Sequence, residues 1–418
     1  GSFLSKYFDE GVITSLNSLI DDYAPNLKKV LEEYPQYKSA LTVESGDMVA
    51  MGDLSATKYR TKGVSIRKDW LDKLNLPEVK NIDDLYTAAK AFVEKDPNGN
   101  KQKDEFGIVA SNFKEYRQLG MGFGLSLISG SGWSVRDGKV TYEYILPEYR
   151  QFLEWMNKAY VEGVLPKDFQ TIDGKISDQR IASNQAGIKG REYINSFVGA
   201  NDPKSSVQKN TPGAVWMAVN FEADANHKLA IPREPHATIW RSYGITENCK
   251  DKVAAIRLLD YIFAGEGKTL SVIGVEGVTY KVVNGRPVGI PNWEEKVGPG
   301  VFLGDSYSPK MITDENYLGF LESDYLNENP DIKEKYSKYI ESIADKSYVP
   351  FQPSIPTLEQ GKKLSKIFGD LNTYIDEMYI KFITGEKPLS EFDDYVANCK
   401  KLGCDEARDI YQSGLDKK

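Results

Sequence analysis

Helical and extended stretches alternate through the first two thirds of this chain, and from residue 328 onward nearly everything is helical. Over 12–34 the apolar residues Leu16, Leu19, Ile20, Tyr23, Leu27, Val30 and Leu31 recur at helical spacing. Pro25 is expected to split that stretch into two helices, because proline has no amide to donate and restricts the residue before it. Residues 63–73 read as a short strand running into a helix. Residues 81–94 read as a helix capped by Asn81 or Asp83, with Ile82, Leu85, Ala88, Ala89 and Phe92 on one face. A strand at 139–144 precedes a helix over 147–162 whose apolar face is Phe152, Trp155, Met156 and Ala159. Another helix covers 250–264, capped near Asn248. Helices at 331–344, 358–382, 391–402 and 405–415 complete the chain. This interleaving predicts an α/β protein with a helical C-terminal part.

Composition removes several function classes. The chain has 61 acidic and 53 basic residues among 418, a net charge of −8. It has no clustered basic stripe, which argues against nucleic-acid binding. No run of eighteen apolar residues and no charged-then-apolar leader occurs, so no membrane span is expected and any export signal is expected to have been removed. The only histidines are His227 and His236, and the only cysteines Cys249, Cys399 and Cys404. Histidine is the usual general base near neutral pH and the commonest transition-metal ligand, so a histidine-dependent triad or zinc site is poorly supplied. Cys399 and Cys404, five apart across Gly403, are too few for a metal motif; the spacing leaves open whether they pair. Otherwise all three are expected to be buried or indifferent thiols.

Two glycine-rich strings fail as nucleotide motifs. Gly265, Gly267, Lys268 and Thr269 end like a phosphate loop, but Ile262 occupies the position of its first glycine and the string follows a helix. Gly120, Gly122 and Gly124 lack the third glycine of a dinucleotide fingerprint, since Leu125 follows; a close-packed turn or flexible connection is expected. Adjacent acids such as Asp83/Asp84, Glu294/Glu295 and Asp393/Asp394 point apart on a helix and do not make the facing pair of a glycosidase.

The acidic run 96–105 is more specific. Asp96, Asn98, Asn100 and Asp104 place side-chain oxygens at alternate positions around Gly99, Gln102 offers a backbone carbonyl, and Glu105 offers a carboxylate. That alternation wraps oxygens around a hard cation as in the first half of an EF-hand loop, here with the closing acid after ten positions instead of twelve. A structural calcium is expected; the competing reading is a polar turn, which the same residue types favour. Tryptophans supply a second signal. Trp133, Trp216, Trp240 and Trp293 stand in glycine- or proline-containing loops or beside arginine, where an indole can stack on a sugar face. Trp70 and Trp155, at apolar helix positions, are expected in the core.

Together these stretches resemble a known family. Residues 66–74 (IRKDWLDKL), the 81–94 helix and the acidic loop are similar to extracellular solute-binding proteins of carbohydrate ABC importers, in a large lipoprotein branch that includes alginate-oligosaccharide binders. Residues 273–280 (IGVEGVTY) resemble the family's GxEGxxY segment, and 160–166 (YVEGVLP) its YxEGLI turn. Residues 374–385 with 401–403 resemble its C-terminal helices. The resemblance spans nearly the whole chain. It implies a periplasmic-binding-protein-like fold of two lobes joined by hinge strands. The first lobe would hold 1–109 and 243–304 and the second 110–242 and 305–418, with crossings near 108–111, 238–245 and 301–308. Members normally begin with a strand–helix–strand unit ahead of the segment resembling 1–34, so the first lobe is expected to lack it here.

The resemblance further implies a non-enzymatic protein outside the cytoplasm, a cell-surface lipoprotein anchored through a removed N-terminus. As a monomer it would capture an oligosaccharide by lobe closure and deliver it to an ABC-importer permease. Trp240, Arg241, Trp216, Trp133, Arg191 and Tyr280 are expected to line the cleft, the rings stacking and the arginines binding hydroxyls or a uronate. The calcium ligands carried over are Asp96, Asn98, Asn100, Gln102, Asp104 and Glu105. A glycan hydrolase or lyase and a peptide binder of the same fold are the alternatives.

Overall fold

The computed structural model describes residues 2–416 apart from 56–60, 128–131, 234–236, 264–266, 284, 291–310, 313–325, 327–328, 349 and 352. Among the described residues ten strands are interspersed with the helices: β1 (Met51–Ser55), β2 (Lys62–Arg67), β3 (Trp133–Arg136), β4 (Lys139–Tyr142), β5 (Ile188–Tyr193), β6 (Trp216–Ala218), β7 (Ala237–Tyr243), β8 (Tyr280–Val283), β9 (Arg286–Gly289) and β10 (Met311–Ile312). They form two three-stranded sheets, ordered β10-β1-β7 and β5-β2-β6, and the hairpins β3-β4 and β8-β9.

Each three-stranded sheet has its own core. Around the first sheet, Leu16, Ile20, Leu27, Leu31 and Tyr37 pack with Met51, Ile256 and Phe263. Pro25 does split the early helical stretch, into Asn17–Tyr23 and Pro25–Glu33. Around the second sheet a larger core runs from Val64 through Ile231 and resumes from Leu326 to Ala407. Helix Leu358–Thr384 buries Leu364, Leu371, Ile375 and Phe382 there. The longest of the described helices, it is not apolar enough to cross a membrane, and no other described helix is.

The two cores move one expected boundary. Residues 62–109, assigned above to the first lobe, belong to the second. All six residues of β2 are buried, and helix Ile82–Glu94 lays Leu85, Ala89 and Phe92 into the same core. Gly187, just before β5, makes the contact close: a Cβ there would stand 2.5 Å from both Phe92 and Trp70. The apolar face of that helix is legible as a period, but a period does not say which sheet it covers. The chain is in the first sheet up to Ser55 and in the second from Lys62, instead of changing over near 108–111, and it is back in the first sheet by Ala237, just ahead of the expected 238–245. The stretch 301–308 lies outside the described residues; at Met311 the chain still pairs with β1, and by Leu326 it is in the second core.

Short-range signals match the structure at most helix ends. Asn81 accepts from the amides of Asp83 and Asp84, and Asp84 reciprocates, a capping box. Helix Pro147–Val161 buries Phe152, Trp155, Met156 and Ala159. The helix expected at 250–264 starts instead at Lys252, where Asp251, not Asn248, accepts from the Ala254 amide at 2.8 Å. Cys399 and Cys404 are free and buried, and burial pushes their thiols up to about 12 and about 11.

A wide irregularity in the first sheet sits where two candidate ligand residues stand. Met51 pairs with Tyr243, but Asp53 already pairs with Thr238, so Gly52 alone faces four residues of β7 that include Trp240 and Arg241. Such bulges re-aim side chains and concentrate near functional sites. Gly52 is instead served by the fully buried Tyr37, whose hydroxyl donates to the Gly52 carbonyl at 2.5 Å and accepts from its amide at 3.0 Å. Tyr37→Phe leaves both backbone groups buried without that partner, at about 1–3 kcal/mol each. A urea midpoint lowered accordingly is the expected result; an unchanged midpoint would mean the phenol is dispensable.

Candidate functional site

The segments that join the two sheets are fastened to one another. Thr61 bridges to Arg233, and Pro232 to Tyr348. The Ser347 hydroxyl accepts from Thr61 Oγ1 at 3.1 Å and from Arg233 Nη2 at 2.9 Å, and donates to the Ala344 carbonyl at 2.5 Å. Three separate stretches of chain thus meet at one hydroxyl. Beside them, Lys62 at the start of β2 places its ammonium 3.4 Å from the ring centre of Tyr193 at the end of β5.

A polar cavity of about 310 Å³ opens next to this junction. One wall is the 3-10 helix Glu115–Phe123 with the Asn112 turn before it; the other is Asn372, Ile375 and Asp376 on the long helix Leu358–Thr384. Nine residues is long for a 3-10 helix, a form that otherwise occurs in short pieces and often marks functional segments. Gln118 ties this wall to the crossing by donating its amide to the Gly63 carbonyl. Asp376 receives Lys114 Nζ at 2.6 Å and Arg117 Nη2 at 2.7 Å. The Arg117 guanidinium lies 4.6 Å from the ring centre of Tyr379 and 5.4 Å from that of Tyr144. Glu115 Oε2 accepts from the Ser111 amide at 3.1 Å.

Two atoms of this wall lack a hydrogen-bond partner among the described residues. Arg117 and Gln118 are only 4% and 1% exposed, yet Arg117 Nε and Gln118 Oε1 are unsatisfied. Buried polar groups are normally paired, so these two atoms mark a wall whose polar groups are not fully satisfied among the described residues. A larger cavity, about 540 Å³, lies between the turn at 42–46 and the C-terminal helices. Its walls are mostly apolar, among them Val43, Ile355 and Ile410, and its charged residues Lys38 and Glu44 are exposed.

The expected cleft residues fare unequally. Trp133 and Trp216 are each 2% exposed and belong to the second core, not to a cleft. Trp133 packs 4.3 Å from Tyr142 and 5.3 Å from Tyr411, and Trp216 lies under Arg67. The indoles point inward because each opens a strand with a buried face. Trp70 and Trp155 are core, as expected. Trp240 and Arg241 stand on the β7 bulge and Arg191 on β5, with side chains outside the described residues, as is all of Trp293. Tyr280 opens β8, half-buried. Sequence reasoning missed Asn112, Lys114, Arg117, Gln118 and Asp376. Their signal is faint: polar residues between the buried Tyr116 and Leu119, and one acid among many on a long helix.

The 96–105 loop folds around its own oxygens. Asp96 and Lys101 take positive φ with Gly99, closing a tight turn. Asp96 accepts from the amides of Gly99, Asn100 and Lys101 at 2.8, 3.1 and 3.0 Å. Gln185, with the Asn100 and Asn98 amides, holds the Asp104 carboxyl below its ordinary range. Glu105 is 8% exposed with both carboxylate oxygens unpartnered, and burial pushes its carboxyl upward. No three His, Cys, Asp or Glu side chains among the described residues gather into a ready cage. An ion here would draw Asp96, Asn98, Asn100 and Asp104 off their present partners.

Residues 2–269 match the family model of the bacterial extracellular solute-binding proteins. The fructooligosaccharide ABC transporter substrate-binding protein FusA of Streptococcus pneumoniae serotype 4 (strain ATCC BAA-334 / TIGR4) is 26% identical over 459 residues, covering 99% of this chain and 77% of that protein. The polygalacturonan/rhamnogalacturonan-binding protein YtcQ of Bacillus subtilis (strain 168) is 24% identical over 420 residues, covering 96% and 76%. Among solved structures, the alginate-binding protein AlgQ2 without calcium ion superposes with a TM-score of 0.74 at 24% identity, covering 99% of this chain and 84% of that one.

Proposed function

The chain belongs to the bacterial extracellular solute-binding proteins, and on that premise we propose that it captures an oligosaccharide by closure of its two lobes and hands it to the permease of an ABC importer. The observation that supports this is the cavity beside the crossing segments, lined by Asn112, Lys114, Arg117, Gln118, Asn372 and Asp376. At about 310 Å³ it is at the small end of ligand pockets and suits one sugar unit. Trp240, Arg241, Arg191 and Tyr280 stay the expected contacts for further sugar units. The named relatives take fructooligosaccharide and polygalacturonan or rhamnogalacturonan, which supports a glycan over a peptide. Closure follows if the ligand binds the closed arrangement more tightly than the open one, with the Thr61–Ser347–Arg233 cluster as pivot.

The protein acts without turnover, as a monomer held at the cell surface by a lipid anchor. Calcium at the 96–105 loop is part of the same reading. Asp96, Asn98, Asn100, Gln102, Asp104 and Glu105 would hold it, and it would supply the counter-charge that buried Glu105 lacks. The loop backs onto the strand lead-in before β5 through the Phe106 amide and the Gln185 carbonyl, at 2.8 Å. That position is structural, not part of the sugar cavity.

Thermal unfolding against neutral and acidic oligosaccharides tests the proposal. A ligand at a hundred times its Kd adds about 2.7 kcal/mol, so one sugar class should raise the transition by a few degrees without being consumed. Release of products would make the protein a hydrolase or lyase. A flat glycan panel beside a shift with oligopeptides would replace the sugar by a peptide.

A further inference from the structure

We infer that His227 is a pH-operated clasp: with both ring nitrogens protonated it fastens the strap 222–230 to the start of helix Ile82–Glu94, and on losing a proton it lets the strap loosen. The strap is part of the stretch without regular structure that leads from β6 to the crossing at Pro232. Its ends are fixed. Phe221, just before it, is 1% exposed, and its carbonyl accepts from Lys346 Nζ at 3.1 Å. At the far end the Ala230 amide donates to the Met121 carbonyl at 2.9 Å, and the Ile231 carbonyl accepts from the Tyr348 amide at 3.0 Å. Between these anchors every residue from Glu222 to Asn226 is exposed, with one backbone tie, the Glu222 amide to the Lys80 carbonyl at 2.7 Å. The His227 side chain, only 17% exposed, is what reaches down onto the helix.

The imidazole stands between two carboxylates. Nδ1 lies 2.8 Å from Asp224, within the strap, and Nε2 lies 3.2 Å from Asp83 Oδ2, on the helix. An ionised carboxylate only accepts, so serving both takes two N–H groups, which the imidazolium alone has. A neutral ring keeps one. Asp224 is the closer and is fixed in place by the Asn226 and His227 amides at 2.7 and 2.9 Å, so it retains that N–H, and the bare Nε2 then faces Asp83. The bond lost is the one between strap and helix. Asp224 first and then Asp83 hold the imidazole above the ordinary histidine range, against the opposing effect of partial burial. The clasp is therefore complete below that ordinary range and is lost as pH rises through the raised value. The other charges nearby are engaged and keep their charge over this interval: Lys80 with Glu222 at 3.5 Å, Lys228 with Glu148 at 2.8 Å, Arg136 with Glu148 at 3.6 Å, and Asp84 with the Lys80 and Asn81 amides. The two lysine ties to the strap run through long exposed side chains and hold it weakly.

Trypsin cleavage after Lys228, compared between wild type and His227→Ala at one pH at a time, tests the clasp, because each ratio cancels the protease's own pH dependence. At about pH 6, below the ordinary histidine pKa, wild type should be cut more slowly by roughly two- to fivefold, the effect of one partly exposed ion pair. At about pH 9, well above it, that protection should be gone. Packing lost with the ring would act equally at both pH values, so a ratio that does not change with pH overturns the inference. A histidine-selective NMR titration of the wild type gives an independent reading, with His227→Ala identifying the resonance. His227 should titrate above the ordinary histidine range, and Asp83→Asn should lower its midpoint and abolish the pH dependence of cleavage. A His227 midpoint at or below the ordinary range, or one that Asp83→Asn leaves in place, also overturns it. None of these outcomes bears on the oligosaccharide reading.

Discussion

Trp216→Ala is expected to destabilise the protein by about 3–5 kcal/mol, the range for removing a large buried ring from a packed core, while leaving the affinity for sugar within twofold. The indole is 2% exposed. It begins the edge strand β6, where Trp216 pairs with Arg67, and its backbone is clamped by Asn201, which accepts from the Trp216 amide and donates to its carbonyl, both at 2.8 Å. Arg67 sits between two indoles, 4.7 Å from Trp70 and 5.9 Å from Trp216, and is held by Asp69 at 2.8 and 2.6 Å and by Asn184 at 2.6 Å. Removing one indole opens a cavity next to the buried Arg67 guanidinium. Urea unfolding gives the stability, and titration well below the transition gives the affinity. Stability near wild type with binding weakened tenfold or more would return Trp216 to the ligand site.

That prediction marks where the sequence stops being informative. The Pro212-Gly213 composition correctly signals the turn before Trp216, but Gly and Pro fix backbone direction, not which way the next side chain faces. The facing is set by the sheet that receives the strand, a long-range fact. The same limit explains β2 and helix Ile82–Glu94: their apolar faces are plain in the sequence, and their sheet is not. Conversely, the Asn81 capping box, the break at Pro25 and the long C-terminal helix follow from short-range chemistry and are legible residue by residue. The polar cavity is hidden for a further reason. Asp376 and Arg117 are 259 positions apart in the chain, and each alone looks like a solvated charge on a helix. Only their meeting, with Gln118 reaching Gly63, turns them into a site.

Chelation of calcium is expected to lower the unfolding temperature of the wild-type protein and to have no effect on Glu105→Gln. At free calcium a hundred times its Kd the ion contributes about 2.7 kcal/mol, all of it absent in the variant if Glu105 closes the site. The order of stabilities should also reverse. In calcium the wild type is the more stable. In chelator the variant should equal or exceed it, because the wild type then buries a carboxylate with both oxygens unpartnered, an arrangement costing about 1–3 kcal/mol or more for a charged group, whereas the glutamine amide carries no charge. Sugar affinity should follow neither change strongly. The loop reaches the rest of the molecule through Asn98, which donates to the Asn184 carbonyl at 3.2 Å, and through Gln185, which donates to Asp104 at 2.9 Å. Asn184 in turn holds Arg67, so an ion at the loop braces the core face of the second sheet and not the cavity beside Asp376. A wild type indifferent to chelation, matched by an equally indifferent variant, would make 96–105 an ordinary polar turn.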